Sequence, residues 1–196
     1  MLREAVIVAH DRGGRSLAAR LRQGGDRYGQ EIVASGPELP PLALLRSIEA
    51  TADEPRREAP VLQELHVEQL PDGRGAAAAL LGRAFDCLWS LAIAPVADPE
   101  APGLLFDAAC RLKRSGARLA SVYRIPDDVV VSRQPGGAWS LAAHRARFVI
   151  EPVALPAGGP PLVVEHDAAQ LRFVCDAASW TDLPATLRWQ FRIRWT

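Results

Sequence analysis

From Leu187 to Trp195 the sequence alternates without a break: Leu187, Trp189, Phe191, Ile193 and Trp195 occupy one set of positions, and Arg188, Gln190, Arg192 and Arg194 the other. Successive side chains of an extended chain point to opposite faces, so the segment reads as a strand with one apolar and one cationic face. Such a strand has to be covered on its apolar side and paired along its edges, because free backbone groups beside exposed aromatic rings invite association. Trp189, Phe191 and Trp195 therefore require a core or a partner. Arg188, Arg192 and Arg194 require water, carboxylates or an anion. These six residues are the interaction candidates of the chain, and they point to a protein partner or a homo-oligomer.

The rest of the chain can supply a core. Its 196 residues are 48% hydrophobic, enough for a single globular domain over 1–196 without staples, with a change of texture near residue 126. Charge is balanced at 23 basic and 23 acidic residues, which gives no general footprint for nucleic acid. The basic set is 22 arginines and one lysine, Lys113, a bias that fits a GC-rich bacterial genome, so arginine identity alone carries little functional weight. Cys87, Cys110 and Cys175 cannot all pair with one another, and none lies in a C-x-x-C arrangement; a reduced, cytoplasmic setting is expected. No secretion signal is read at the start of the sequence. Gly75–Pro95, the longest weakly polar stretch, is interrupted by Arg83 and Asp86, which speaks against a membrane span.

Local patterning before residue 126 suggests strands alternating with helices. Glu4–Ala9 reads as a strand. Helices are expected from Ser16 through Leu17, Ala18 and Leu21 to Gly24-Gly25, and from Pro40-Pro41 through Leu42, Leu45 and Ile48. Asp53–Pro60 is a charged link between prolines. Val61–Leu70 alternates as a strand, Ala76–Phe85 favours helix by composition, and Cys87–Ala94 returns to strand. Pro102-Gly103 then precedes Leu104, Leu105, Ala108, Ala109 and Leu112, spaced for an amphipathic helix that ends near Ser115-Gly116, with a strand from Ala117 to Ile125 behind it. After Pro126, short β-like runs punctuated by Gly136-Gly137, Gly158-Gly159 and Asp182-Leu183-Pro184 predict an antiparallel sheet. The expected fold class is α+β, with mixed N-terminal βα elements and a predominantly antiparallel C-terminal sheet. The alternative is an α/β, flavodoxin-like body with a β appendage, in which strands near Val6, Val67, Ile93 and Val122 would be parallel neighbours.

Few segments carry chemistry. Glu64-x-His66-x-Glu68 places three possible ligands on one strand face, about 6 to 7 Å apart by twice the residue rise, and defines a candidate site for a divalent transition metal that could recruit His10, Asp11, His144 or His166. An exposed polar strand face is the simpler reading, and no cofactor is the primary expectation. His10-Asp11 and His166-Asp167 could be acid–base pairs, but no serine near them has nucleophile-elbow context. Asp11-Arg12-Gly13-Gly14-Arg15-Ser16 could offer donors to a phosphate, although it lacks the lysine and spacing of a P-loop. Arg145 and Arg147 could extend the basic face of the last strand. The aromatic residues of that strand point away from its arginines, which argues against single-stranded nucleic acid. The function expected from this balance is a non-enzymatic binding or assembly component of a bacterial intracellular complex. The alternative is a metal-dependent enzyme acting on a small phosphorylated substrate.

Overall fold

The computed structural model describes residues 3–49, 59–84, 87–96, 98, 100–113, 118–155, 162–167, 169–176 and 182–196. In chain order its strands are β1 (Glu4–His10), β2 (Ser16–Gly24), β3 (Arg27–Gly36), β4 (Leu39–Ser47), β5 (Glu64–Gln69), β6 (Ala76–Ala84), β7 (Cys87–Pro95) and β8 (Gly103–Leu112). They continue as β9 (Arg118–Arg124), β10 (Val130–Arg133), β11 (Trp139–Ala143), β12 (Ala146–Val153), β13 (Leu162–Asp167), β14 (Gln170–Asp176) and β15 (Ala185–Trp195). Two sheets form, in the orders β1-β2-β3-β4-β9-β14-β13 and β10-β11-β12-β15-β8-β7-β6-β5. Every pairing in both is antiparallel. Segments on both sides of residue 126 contribute to each sheet.

This architecture overturns the α+β reading and its flavodoxin-like alternative. Among the described residues the only helical element is a three-residue 3-10 turn at Pro135–Gly137. The segments expected to be helices are β2, β4, β6 and β8. Val6 and Val122 lie in one sheet, Val67 and Ile93 in the other, and none of their strands are neighbours. The physical reason is visible in β8. Its buried inward residues are Leu104, Phe106, Ala108, Cys110 and Leu112, a period of two that coexists with the helical spacing because Leu105 and Ala109 on the outer face are also apolar. Helix propensity is worth only tenths of a kcal/mol per residue and yields to sheet pairing on both sides. Most of the Asp53–Pro60 link, the end of the expected helix at Ser115-Gly116, and Gly158-Gly159 lie outside the described residues. No described helix is long and apolar enough to cross a membrane.

The last strand lies deep inside its sheet. β15 pairs with β8 from Ala185 to Arg194 and with β12 from Gln190 to Trp195, so its backbone is paired on both edges from Gln190 to Arg194. Its apolar face fills the space between the sheets: Leu187, Trp189, Phe191 and Ile193 are at most 1% exposed. The Phe191 ring stacks on Phe106 of its own sheet at 4.8 Å and on Phe173 of the facing sheet at 3.8 Å between centroids. Tyr123 meets both Phe173 and Phe191 edge-on. Trp189 lies edge-on to Trp89 and donates its indole N–H to Ser121 Oγ at 3.2 Å, which satisfies the polar handle of a fully buried ring.

One end of the sandwich is closed by Ala59–Leu62, all of them buried. Leu62 O accepts a 2.7 Å hydrogen bond from Tyr28 N of β3, and Gln63 N donates to Leu81 O of β6 at 2.7 Å, so the segment ties the two sheets together. Gly82 makes this approach possible. A Cβ there would lie 1.7 Å from Val61 O, a distance no side chain can occupy.

Candidate functional site

Turns from both sheets surround a cleft of about 780 Å³ elsewhere on the sandwich. The β1–β2 turn contributes Gly13 and Arg15, the β3–β4 turn contributes residues 36–40, the β11–β12 turn contributes His144, Arg145 and Ala146, and Trp195 completes the lining from the end of β15. A concave site of this size, with mostly apolar walls and a few placed polar groups, has the dimensions typical of a small-molecule site.

Arg15 is built into place. Asp11, whose side chain is 2% exposed, accepts from Arg15 N at 2.9 Å and from Arg15 Nε at 2.5 Å, and Arg15 Nη2 donates to Glu100 O at 2.7 Å. The guanidinium stands 5.6 Å from the centre of the Trp195 ring, within cation–π range. Burial alone would raise the Asp11 carboxyl. The Arg15 side-chain and backbone donors, its charge and the Gly13 N–H outweigh burial and hold it below the usual carboxylate range. Asp11 is therefore an ionised buttress. Two of the five guanidinium N–H groups are used by these contacts, and the rest have no partner among the described residues.

The β11–β12 turn brings the other polar groups. Ala143 pairs with Ala146, leaving His144-Arg145 as a two-residue hairpin loop, and His144 sits at φ 54. A positive φ at the first central position of such a loop favours glycine, so this turn holds a bulky side chain where a smaller one would be easier. His144 Nε2 is 4.0 Å from Asp128 Oδ2. Arg145 is exposed, and its side chain makes no ion pair or hydrogen bond among the described residues. Glu38 is the acidic group in the lining. Trp195 is 6% exposed and packs on Phe148 at 4.7 Å, giving the cleft a fixed aromatic wall.

The residues singled out by sequence divide among four places. Trp189 and Phe191 lie in the core, while Trp195 lies in both the core and the cleft. Arg188, Arg192 and Arg194 form an outer ladder. Arg188 Nε donates to Asp107 Oδ1 at 2.7 Å, Arg192 Nη2 to Glu151 Oε1 at 2.6 Å and Arg194 Nε to the same oxygen at 3.2 Å. Glu64, His66 and Glu68 are exposed on the edge strand β5, with His66 Nε2 3.7 Å from Glu64 Oε2. Among the described residues, no three His, Cys, Asp or Glu side chains are grouped to hold a metal ion. Ser16 Oγ lies 2.7 Å from Ser35 Oγ, and the His166 ring lies against Trp139 at 5.5 Å. The Asp11–Ser16 loop caps no helix but does bring Arg15 to the cleft. Pro37 and Glu38 carried no sequence signal, since turn prolines and a surface glutamate are common, and Pro40, which reads in sequence as a helix start, lies in β4.

A second polar cluster lies between β3, β4 and β9. Tyr123 OH donates to Gln30 Oε1 at 2.9 Å, Gln30 N donates to Ser47 Oγ at 2.6 Å, and Ser47 Oγ donates to Glu49 Oε1. Burial raises the Glu49 carboxyl to about 7, against the lowering effects of Ser47 and Arg27. Burial also raises the Cys175 thiol to about 11, and it raises Cys110 further with the neighbouring Cys87 and Cys175 adding to the effect. All three cysteines are buried, and none forms a disulfide among the described residues. No family model matches the sequence, and no curated protein is significantly similar to it.

Proposed function

We propose that this chain is a non-enzymatic binding component whose recognition surface is the cleft beside Trp195. The observation that carries the reading is the turn that presents His144, at a positive φ, and Arg145, without an ion pair among the described residues, to the same cleft as a buttressed Arg15 and Trp195. Positive φ outside glycine costs free energy and is retained where something uses the side chain it presents. Asp11, the buried carboxylate beside the cleft, is committed to Arg15 and holds a guanidinium in position, which suits binding better than proton transfer. Three buried cysteines without a disulfide among the described residues support a reducing, cytoplasmic setting.

The test is a set of small ring-bearing molecules, neutral, cationic and anionic, titrated into isotopically labelled protein and followed by amide and indole resonances. Shifts are expected to cluster at residues 36–40 and 144–146 and at the Trp195 indole. Shifts confined to the outer face of β15 or to the edge strand β5, or none from any member of the set, would overturn the proposal.

A further inference from the structure

Resting on that reading, we infer that the ligand of the cleft is a small planar molecule bearing an anionic group, a carboxylate or a phosphate, with the ring against Pro37 and Pro40 beside Trp195 and the anion held by Arg145 and Arg15. Three independent features converge on this chemistry. Arg145 is a guanidinium without a carboxylate partner among the described residues, a state it shares with Arg12, Arg111 and Arg147, and what sets it apart is that it lines the same cleft as Arg15. A guanidinium presents a fixed fork of donors that matches carboxylate and phosphate oxygens.

Arg15 is a second cation whose orientation is set before any ligand arrives, by Asp11 behind it and Glu100 O beside it. A donor already held in geometry loses less freedom on binding than one that must be ordered by the ligand. His144 adds two ring nitrogens at the same turn, and Glu38 is the opposing charge that would disfavour a ligand with acidic groups on all sides.

The apolar part of the ligand follows from the walls. Trp195 is 6% exposed, with Phe148 packed on it and the Arg15 guanidinium over its ring, so it gives the cleft a rigid rim, and Pro37 and Pro40 contribute flat apolar surface. A planar ring fits these surfaces better than a flexible chain, because it loses less conformational freedom on binding. The occupant is a free small molecule: the cleft, about 780 Å³ and walled by three turns and the end of β15, has the dimensions of a small-molecule site.

The experiment compares four probes on the full chain by resonance shifts at residues 36–40 and 144–146: phenyl phosphate, benzoate, benzyl alcohol and inorganic phosphate. Phenyl phosphate and benzoate are expected to bind in the cleft, and their relative affinity separates the phosphate source from the carboxylate source. Benzyl alcohol, with the ring alone, and inorganic phosphate, with the anion alone, are each expected to bind at least about tenfold more weakly, the loss of roughly one charge-assisted contact or one packed ring. Arg145→Ala is expected to weaken phenyl phosphate about tenfold, while Arg192→Ala on the outer ladder leaves it unchanged; both sites are exposed, and the melts of both variants verify folding. Benzyl alcohol binding as tightly as phenyl phosphate, with no effect of Arg145→Ala, would overturn the anion inference and leave the cleft as a binding site. If none of the four probes shifts the cleft resonances, the inference fails; if other rings in the wider set do shift them, the binding reading survives alone.

Discussion

Two arginine-bearing regions flank Trp195, and they are built differently. On the outer face of β15, each of Arg188, Arg192 and Arg194 reaches a carboxylate from the neighbouring strand β8 or β12. In the cleft, the carboxylate sits behind Arg15, and Arg145 has none among the described residues. Exposed pairs of the first kind contribute about 0 to 1 kcal/mol each and leave the guanidinium occupied. An arginine held from behind, or left unpaired beside an aromatic wall, keeps its donors for something that is not part of the chain. The availability of a surface arginine is thus decided by the register of adjacent strands.

The largest expected effect tests whether the apolar side of β15 is structural. Trp189→Ala should cost about 3 to 5 kcal/mol of unfolding free energy, the range for deleting a large buried ring, and should leave the oligomeric state unchanged in sedimentation. A variant of nearly wild-type stability that dissociates an assembly would move β15 from core to interface and dissolve the contrast with the cleft.

A smaller effect separates the pH dependence of the fold from both arginine regions. Glu49 binds its proton more tightly in the folded state than at its ordinary value of 4.5, so its contribution favours folding at low pH, declines as pH rises from about 4.5 to about 7, and is fully unfavourable above that. At roughly 1.4 kcal/mol per pH unit, the span is on the order of 3 kcal/mol. Glu49→Gln keeps an acceptor for Ser47 and should be more stable than the wild type at pH 8, with a flatter stability profile between pH 4.5 and 7 by chemical denaturation. An unchanged slope would place the titrating group elsewhere. The smallest effect belongs to the ladder: a double-mutant cycle on Arg188 and Asp107 should return a coupling of less than about 1 kcal/mol. A coupling of several kcal/mol would mean the ladder is a rigid structural feature and not a solvated face.

How much of this was legible in the sequence depends on what sits on the outer faces. β15 and β8 pair residue for residue, Trp189 with Ala108 and Phe191 with Phe106, yet only β15 reads as a strand, because arginine and glutamine mark its second face. In β8, Leu105 and Ala109 erase that mark, and the inward set Leu104, Phe106, Ala108, Cys110 and Leu112 is hidden within a helical spacing. In β6, the run from Ala76 to Ala79 does the same. The cleft shows a related limit. Arg15, His144, Arg145 and Trp195 each stand out in sequence for some reason, but they meet only because β15 enters the sheet between β8 and β12 and brings the end of the chain to turns formed far earlier. That juxtaposition is a property of strand order, which no local pattern encodes.

Charge reversal in the two regions, measured side by side, decides between them. Arg145→Glu and Arg192→Glu should both fold, with melting temperatures within a few degrees of the wild type, since both side chains are on the surface. In a titration with phenyl phosphate, Arg145→Glu should abolish measurable binding and Arg192→Glu should leave the affinity within about twofold of wild type. Equal losses in the two variants, or a loss in Arg192→Glu alone, would contradict the assignment of recognition to the cleft.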